Sequence, residues 1–352
     1  MALARGVRGI LPGAEVVEWS VADGGPGTLD LAVERLGAQR LRGRVRGPLG
    51  EMLEASWCLL PDGSALLEGA EACGLERLAG SPEPMRSSTE GVGDLLLAAL
   101  RGGARPIRIG VGGSATTDGG AGILAALGAR IEDRAGNLLP AGGGALASAA
   151  RVDLSGLDPA VRELGDAGGI IVLADVENPL LGETGSARVY GPQKGAEAAD
   201  LVRLEEGLLG WADLLEAETG RRARHLQGAG ASGGLAFGLA AGLGATIEMG
   251  ARWLLDAAGF DRAVAEAVVV LTCEGRWDGS SHPGKATAEA LRRGLLAGAR
   301  AGVICGRDRS RGMGTDPRIH VLAADHDHMD EGDLAVLAGR AVRLLLARDP
   351  DL

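Results

Sequence analysis

The chain has 352 residues and a formal net charge of −11, room for about two domains and an acidity that argues against nucleic acid or an anionic membrane as partner. Aromatic residues make up only 2 % and glycines number 60, so the core must be built from Ala, Leu, Val and Ile, with glycine-rich turns between elements. Cys58, Cys73, Cys273 and Cys305 are widely separated and form no metal-binding pair, which predicts reduced, buried thiols; the opening MALARGVRGILPG lacks a signal-peptide core and no run approaches ~20 apolar residues, so a soluble cytoplasmic protein is expected.

Residues 2–11 read as a helix stopped by Pro12-Gly13, and Val16–Val21 as a strand running into Ala22-Asp23-Gly24-Gly25-Pro26-Gly27-Thr28. A carboxylate with glycines at a strand end stands where open α/β sheets place ligands, and equally where a tight turn caps the next helix with Asp23. Leu41–Leu67 alternates in short segments and predicts β structure, with Pro61-Asp62-Gly63 as a hairpin turn. Ser87–Thr89 then open a helix through Leu95–Leu100 that ends near Gly102-Gly103.

Ile107–Arg130 is the segment with most chemistry. Apolar alternation at Ile107, Ile109 and Val111 breaks into a glycine loop holding Ser114, Thr116, Thr117 and Asp118, then resumes as a helix through Ile123, Leu124 and Leu127. Such a strand–loop–helix junction suits an anion, because glycines let backbone N–H groups approach it and hydroxyls add donors. Asp118 repels phosphate unless it holds Mg²⁺ or caps the helix.

Ile170–Asp175 is an unbroken apolar run, the pattern of a strand buried on both faces, ending in Asp175-Val176-Glu177-Asn178-Pro179. Lys194 follows in Tyr190-Gly191-Pro192-Gln193-Lys194-Gly195, a loop that presents one cation rigidly. Leu201, Leu204, Leu208, Trp211 and Leu215 predict an amphipathic helix closed at Gly220, and Gly228–Gly234 a second anion-binding helix start. Val268–Leu271 reads as another buried strand, parallel neighbour to Val16–Val21, leading to Arg276 and Asp278; Gly279–Lys285 fits G-x-x-x-x-G-K by chance, since Ala286 replaces the Ser/Thr of a P-loop. His320, His326 and His328 with Asp325 and Asp327 read as a solvated turn rather than a metal cluster. Hydroxyl-bearing glycine loops, two loop lysines, an arginine and strand-end carboxylates together describe phosphoryl transfer.

In order along the chain, VADGGPGT, GVGGSATTDGGAG, DVENPL, YGPQKGA, GAGASGGLAFGL and CEGRWDGSSHPGK resemble the signature segments of the bacterial class I glycerate kinases. The resemblance implies ATP- and Mg²⁺-dependent phosphorylation of D-glycerate, giving 2-phosphoglycerate rather than the 3-phosphate. It also implies an α/β fold of two domains around a cleft: a Rossmann-like one from residues 1–45 and 265–352, and an inserted α/β domain of residues 46–264 with the phosphate loops. Carried over by motif, Asp23, Gly24, Gly25 and Asn178 bind substrate, Gly112, Gly113, Ser114, Thr116 and Lys285 bind the nucleotide, and Asp118 binds the metal. Lys194, Arg276 and Lys285 neutralise charge, and Asp175 or Asp278 serves as base or Mg²⁺ ligand.

Cys273 stands where the family has glycine, and Ser280-Ser281 replaces Gln-Thr. Family members open with a strand and an APDSFKG-like loop, whereas Met1 here enters partway through the following helix. That predicts an incomplete sheet of low stability, and motivates the rival expectation of a catalytically silent, ligand-binding relative.

Overall fold

In the computed structural model, which describes residues 2–277, 285–309, 316–326 and 328–347, the chain forms two compact units, one of residues 22–250 and one of 1–21 with 251–352. The fold is α/β, as the sequence predicts.

The larger unit is built on a six-stranded sheet. Its strands are β1 (Gln39–Arg46), β2 (Met52–Leu59), β3 (Ala65–Glu68), β4 (Ile107–Gly110), β7 (Ile170–Ala174) and β8 (Thr246–Met249), in the order β1-β2-β3-β4-β7-β8; β5 (Arg130–Glu132) and β6 (Arg151–Asp153) pair separately as a ribbon. The first three strands are antiparallel, with β2 and β3 joined across Pro61-Asp62-Gly63, and β3 through β8 run parallel. The parallel centre is apolar on both faces because helices cover both; Ile107, Ile109, Ile170 and Val172 are fully buried. The 22-residue helix Ala198–Thr219 buries Leu204, Leu208, Trp211 and Leu215, and Gly220 ends it in the left-handed conformation.

The division falls at residues 21/22 and 250/251, not at the expected 45/46 and 264/265. Helix Thr28–Arg35 and β1 join the larger unit because β1 pairs along its whole length with β2, and Glu68 Oε2 accepts the Leu29 N–H of that helix at 3.3 Å.

The smaller unit holds β9 (Val269–Trp277), β10 (Arg300–Asp308) and β11 (Ile319–Ala323) as a parallel sheet in the order β11-β10-β9. Central β10 is buried from Ala301 to Cys305, whereas β9 is an edge strand only half covered, and Val268 just before it is 58 % exposed. The expected burial of Val268–Leu271 therefore does not hold, and Cys273 on this edge is exposed rather than buried. Val16–Val21 is not a strand and does not pair with β9: the segment joins no ladder and is pinned instead by Trp19, whose ring meets Phe260 edge-on at 5.4 Å. Alternation of apolar residues makes a segment extended; only a partner of matching direction makes it a strand.

Candidate functional site

Four glycine-containing segments named by the sequence meet at the carboxyl ends of β4 and β7, within the larger unit. The loop 111–120 leaves β4 and enters the short helix Ala121–Ala126. Against it lies the Asp23–Gly27 turn: the Gly112 N–H donates to the Gly24 carbonyl at 3.1 Å, and a Cβ on Gly112 would stand 2.6 Å from the Gly25 Cα. Only glycine permits two backbones to pass this closely. Gly24 is constrained twice, by φ +104° and by the Leu173 carbonyl 2.5 Å from where a Cβ would sit. Gly113 packs against Pro26. Asp23 does not cap the following helix, whose N-cap is Gly27; its Oδ1 accepts the Gly25 N–H at 3.3 Å and closes its own turn.

Lys194 reaches this loop from a single 3₁₀ turn, Pro192–Lys194, with Gly195 behind it in the left-handed conformation. Its side chain is 3 % exposed, and Nζ donates to Ser114 Oγ at 3.1 Å and to the Thr116 carbonyl at 2.6 Å. Both partners are neutral. Burial pushes the ammonium down to about 8, against the opposing pull of Cys73, Asp118 and Asp175. A lysine held this way is a preorganised charge at the edge of a loop of small groups, the arrangement that stabilises a phosphoryl group in transfer.

The other expected residues divide into two kinds. Asp175 directly follows β7, within electrostatic reach of Lys194. Asn178 is engaged inside the protein: its amide donates to the Thr184 carbonyl at 2.8 Å and its Oδ1 accepts from the Tyr190 hydroxyl at 2.7 Å, so it ties the loop after β7 to the segment that carries Lys194. Asp118 is fully buried, and Oδ2 accepts from Thr89 N, Thr89 Oγ1 and Gly122 N while Oδ1 accepts from Gly120 N, at 2.8–3.2 Å. These are the surroundings of a cap, not of a cation: four donors and no water-facing oxygen replace the expected metal ligation. Among the described residues no group of three or more His, Cys, Asp or Glu could hold a metal ion. Arg276 lies on β9, and Lys285, half-buried, is the N-cap of helix Ala286–Leu296, both in the smaller unit; Asp278 lies outside the described residues.

One participant was not singled out by residue. Ser232 adopts φ 55° and ψ 42°, followed by Gly233 and Gly234 in the same left-handed region. A non-glycine residue there stores about 1–3 kcal/mol of strain. Its carbonyl accepts from Thr116 Oγ1 at 3.4 Å, while its own hydroxyl and that of Thr117 are buried without a partner. The sequence showed only a serine among glycines, with no sign of the backbone sign at that position.

An α/β sheet whose strand ends carry interlocked glycine loops around a buried ammonium is the arrangement a phosphotransferase requires. The model of the glycerate kinase family matches residues 1–319, and the chain belongs to that family. It is 40 % identical over 286 residues to the Glycerate 2-kinase of Escherichia coli K12, covering 81 % of this chain and 74 % of the relative, and 41 % identical to the Glycerate kinase of Bacillus subtilis 168 with the same coverage. A Salmonella typhimurium LT2 crystal structure assigned to glycerate kinase 2 superposes with a TM-score of 0.76 at 33 % identity, covering 98 % of this chain and 93 % of that one. No helix among the described residues is long and apolar enough to cross a membrane.

Proposed function

We propose that this protein transfers the γ-phosphoryl group of ATP to a hydroxyl of D-glycerate, giving 2-phosphoglycerate, in the cytoplasm. The observation that carries the reading is Lys194, an almost completely buried ammonium bonded only to Ser114 Oγ and the Thr116 carbonyl, with no carboxylate in ion-pair range among the described residues. A buried charge with neutral partners is costly unless an anion completes it.

In this reading Gly112, Gly113, Ser114 and Thr116 hold the phosphate chain and Lys194 neutralises charge on the transferred group. Asp175 is the candidate base for the glycerate hydroxyl, with Asp278 the alternative, while Arg276 and Lys285 add positive charge. Asp23, Gly24, Gly25 and Asn178 shape the substrate side, as positioning groups more than as direct ligands. Mg²⁺ would enter on the phosphates of ATP with most of its water retained, as this ion usually does in phosphoryl transfer.

The family and the relatives named glycerate kinase support this activity over a silent binding protein. A coupled assay of ADP formation with D-glycerate and Mg-ATP tests it, with phosphorus NMR of the product. Turnover yielding the 2-phosphate is the expected result. Binding of glycerate or ATP without turnover would establish the silent alternative.

A further inference from the structure

We propose that Ser232 is a substrate-binding residue, its hydroxyl donating to an oxyanion group, carboxylate or phosphate, on the same ligand assembly that Lys194 faces. The inference rests on the phosphotransferase reading above and assigns a residue that reading does not use.

Three independent observations converge. First, Ser232 and Lys194 both grip Thr116. Lys194 Nζ takes the Thr116 carbonyl at 2.6 Å, Thr116 Oγ1 donates to the Ser232 carbonyl at 3.4 Å, and a Cβ on Gly233 would lie 1.9 Å from the Thr116 oxygen. The Lys194 ammonium and the backbone of Ser232–Gly233 therefore meet at one residue, Thr116. Second, two hydroxyls in these touching loops have no acceptor or donor: Ser232 Oγ, and Thr117 Oγ1 on a residue only 1 % exposed. Buried hydroxyls are ordinarily satisfied, and two unsatisfied ones in loops that meet at Thr116, the residue the Lys194 ammonium bonds, are left for an anion's oxygens to complete.

Third, the backbone is left-handed at Ser232, Gly233 and Gly234 in succession. Two of the three positions carry glycine, which adopts this conformation freely; the first keeps a side chain despite the strain. A serine retained where glycine fits better, with a hydroxyl that bonds to nothing in the protein, is explained by what the hydroxyl does for a ligand.

Ser232→Gly separates this role from a structural one, because glycine suits the backbone and the variant should fold with a melting temperature equal to or above wild type. Kd values for D-glycerate, ATP and inorganic phosphate are measured by calorimetry for both proteins, alongside KM and kcat for each substrate. Loss of a charge-assisted hydrogen bond predicts weakening of about tenfold or more. A change confined to D-glycerate identifies the carboxylate as the group held, and a change confined to ATP and phosphate identifies a phosphate. Kd and KM values within about twofold of wild type for every probe would overturn the inference while leaving the kinase activity standing. Should wild type bind these ligands without turnover, the proposed activity fails and the Kd comparison still decides Ser232. Failure of wild type to bind any of the three overturns both.

Discussion

Lys194 concentrates the chemistry of the larger unit in one side chain, and its environment has a consequence for pH. The folded protein releases this proton near 8, whereas an unfolded lysine holds it to about 10.5. Between those values the unfolded chain binds more protons, so stability contributed through this group rises with pH across that window. In the proposed role the ammonium is the functional form, so turnover is expected to move the other way, with kcat/KM falling above about pH 8. Lys194→Met is expected to lower kcat/KM at least about a hundredfold. It should fold normally or gain stability, because it removes a buried charge without orphaning a carboxylate. Urea unfolding at pH 7, 8 and 9.5 would show the wild-type gain with pH diminished in the variant. A variant with near-normal turnover would remove Lys194 from the site.

At the level of elements, Asp118 shows how a residue that reads in sequence as a metal ligand or a cap can be a joint. Its four hydrogen bonds span two segments: through Thr89 it holds the start of helix Glu90–Arg101, and through Gly120 and Gly122 the start of helix Ala121–Ala126. Asp118→Asn keeps the size but puts an NH₂ where an acceptor stood, leaving at least one buried donor unsatisfied at a cost of about 1–3 kcal/mol. The variant should unfold at lower urea, with the Mg²⁺ dependence of any remaining turnover unchanged. A steep rise in the Mg²⁺ requirement at undiminished stability would restore the metal role. The same joint explains why loop 111–120 can be so rich in glycine and still be fixed: Asp118, the Asp23–Gly27 turn and Gly233 hold it from three directions.

At the level of the whole molecule, the two units differ in how they are made. Residues 22–250 are one continuous stretch with a large apolar core reaching from Val45 to Ala245, while the smaller unit is assembled from both ends of the chain. A protein of residues 22–250 should therefore fold alone, with one cooperative urea transition and helix content matching its share of the full chain. A non-cooperative transition would show that the larger unit depends on the smaller.

The sequence by itself determined the α/β class, the positions of the central strands and long helices, and the order of motifs that resembles the glycerate kinases. These are legible because burial period, glycine stops and Gly-Pro turns are local properties of the chain. Only tertiary structure decided the rest. Val16–Val21 alternates like a strand yet has no ladder, and Val269–Trp277 is a strand but lies at an edge, because pairing and burial depend on which segments arrive alongside. Asp118 and Asn178 carry the side chains of ligands, but partners distant in sequence or across a turn occupy their polar atoms. Ser232 lay inside a segment legible as an anion-binding helix start, but nothing local marked that residue out; its left-handed backbone, unpartnered hydroxyl and carbonyl contact with Thr116 belong to the tertiary structure. Whether a polar side chain serves the fold or a ligand is set by what fills its hydrogen bonds, and that is decided in three dimensions.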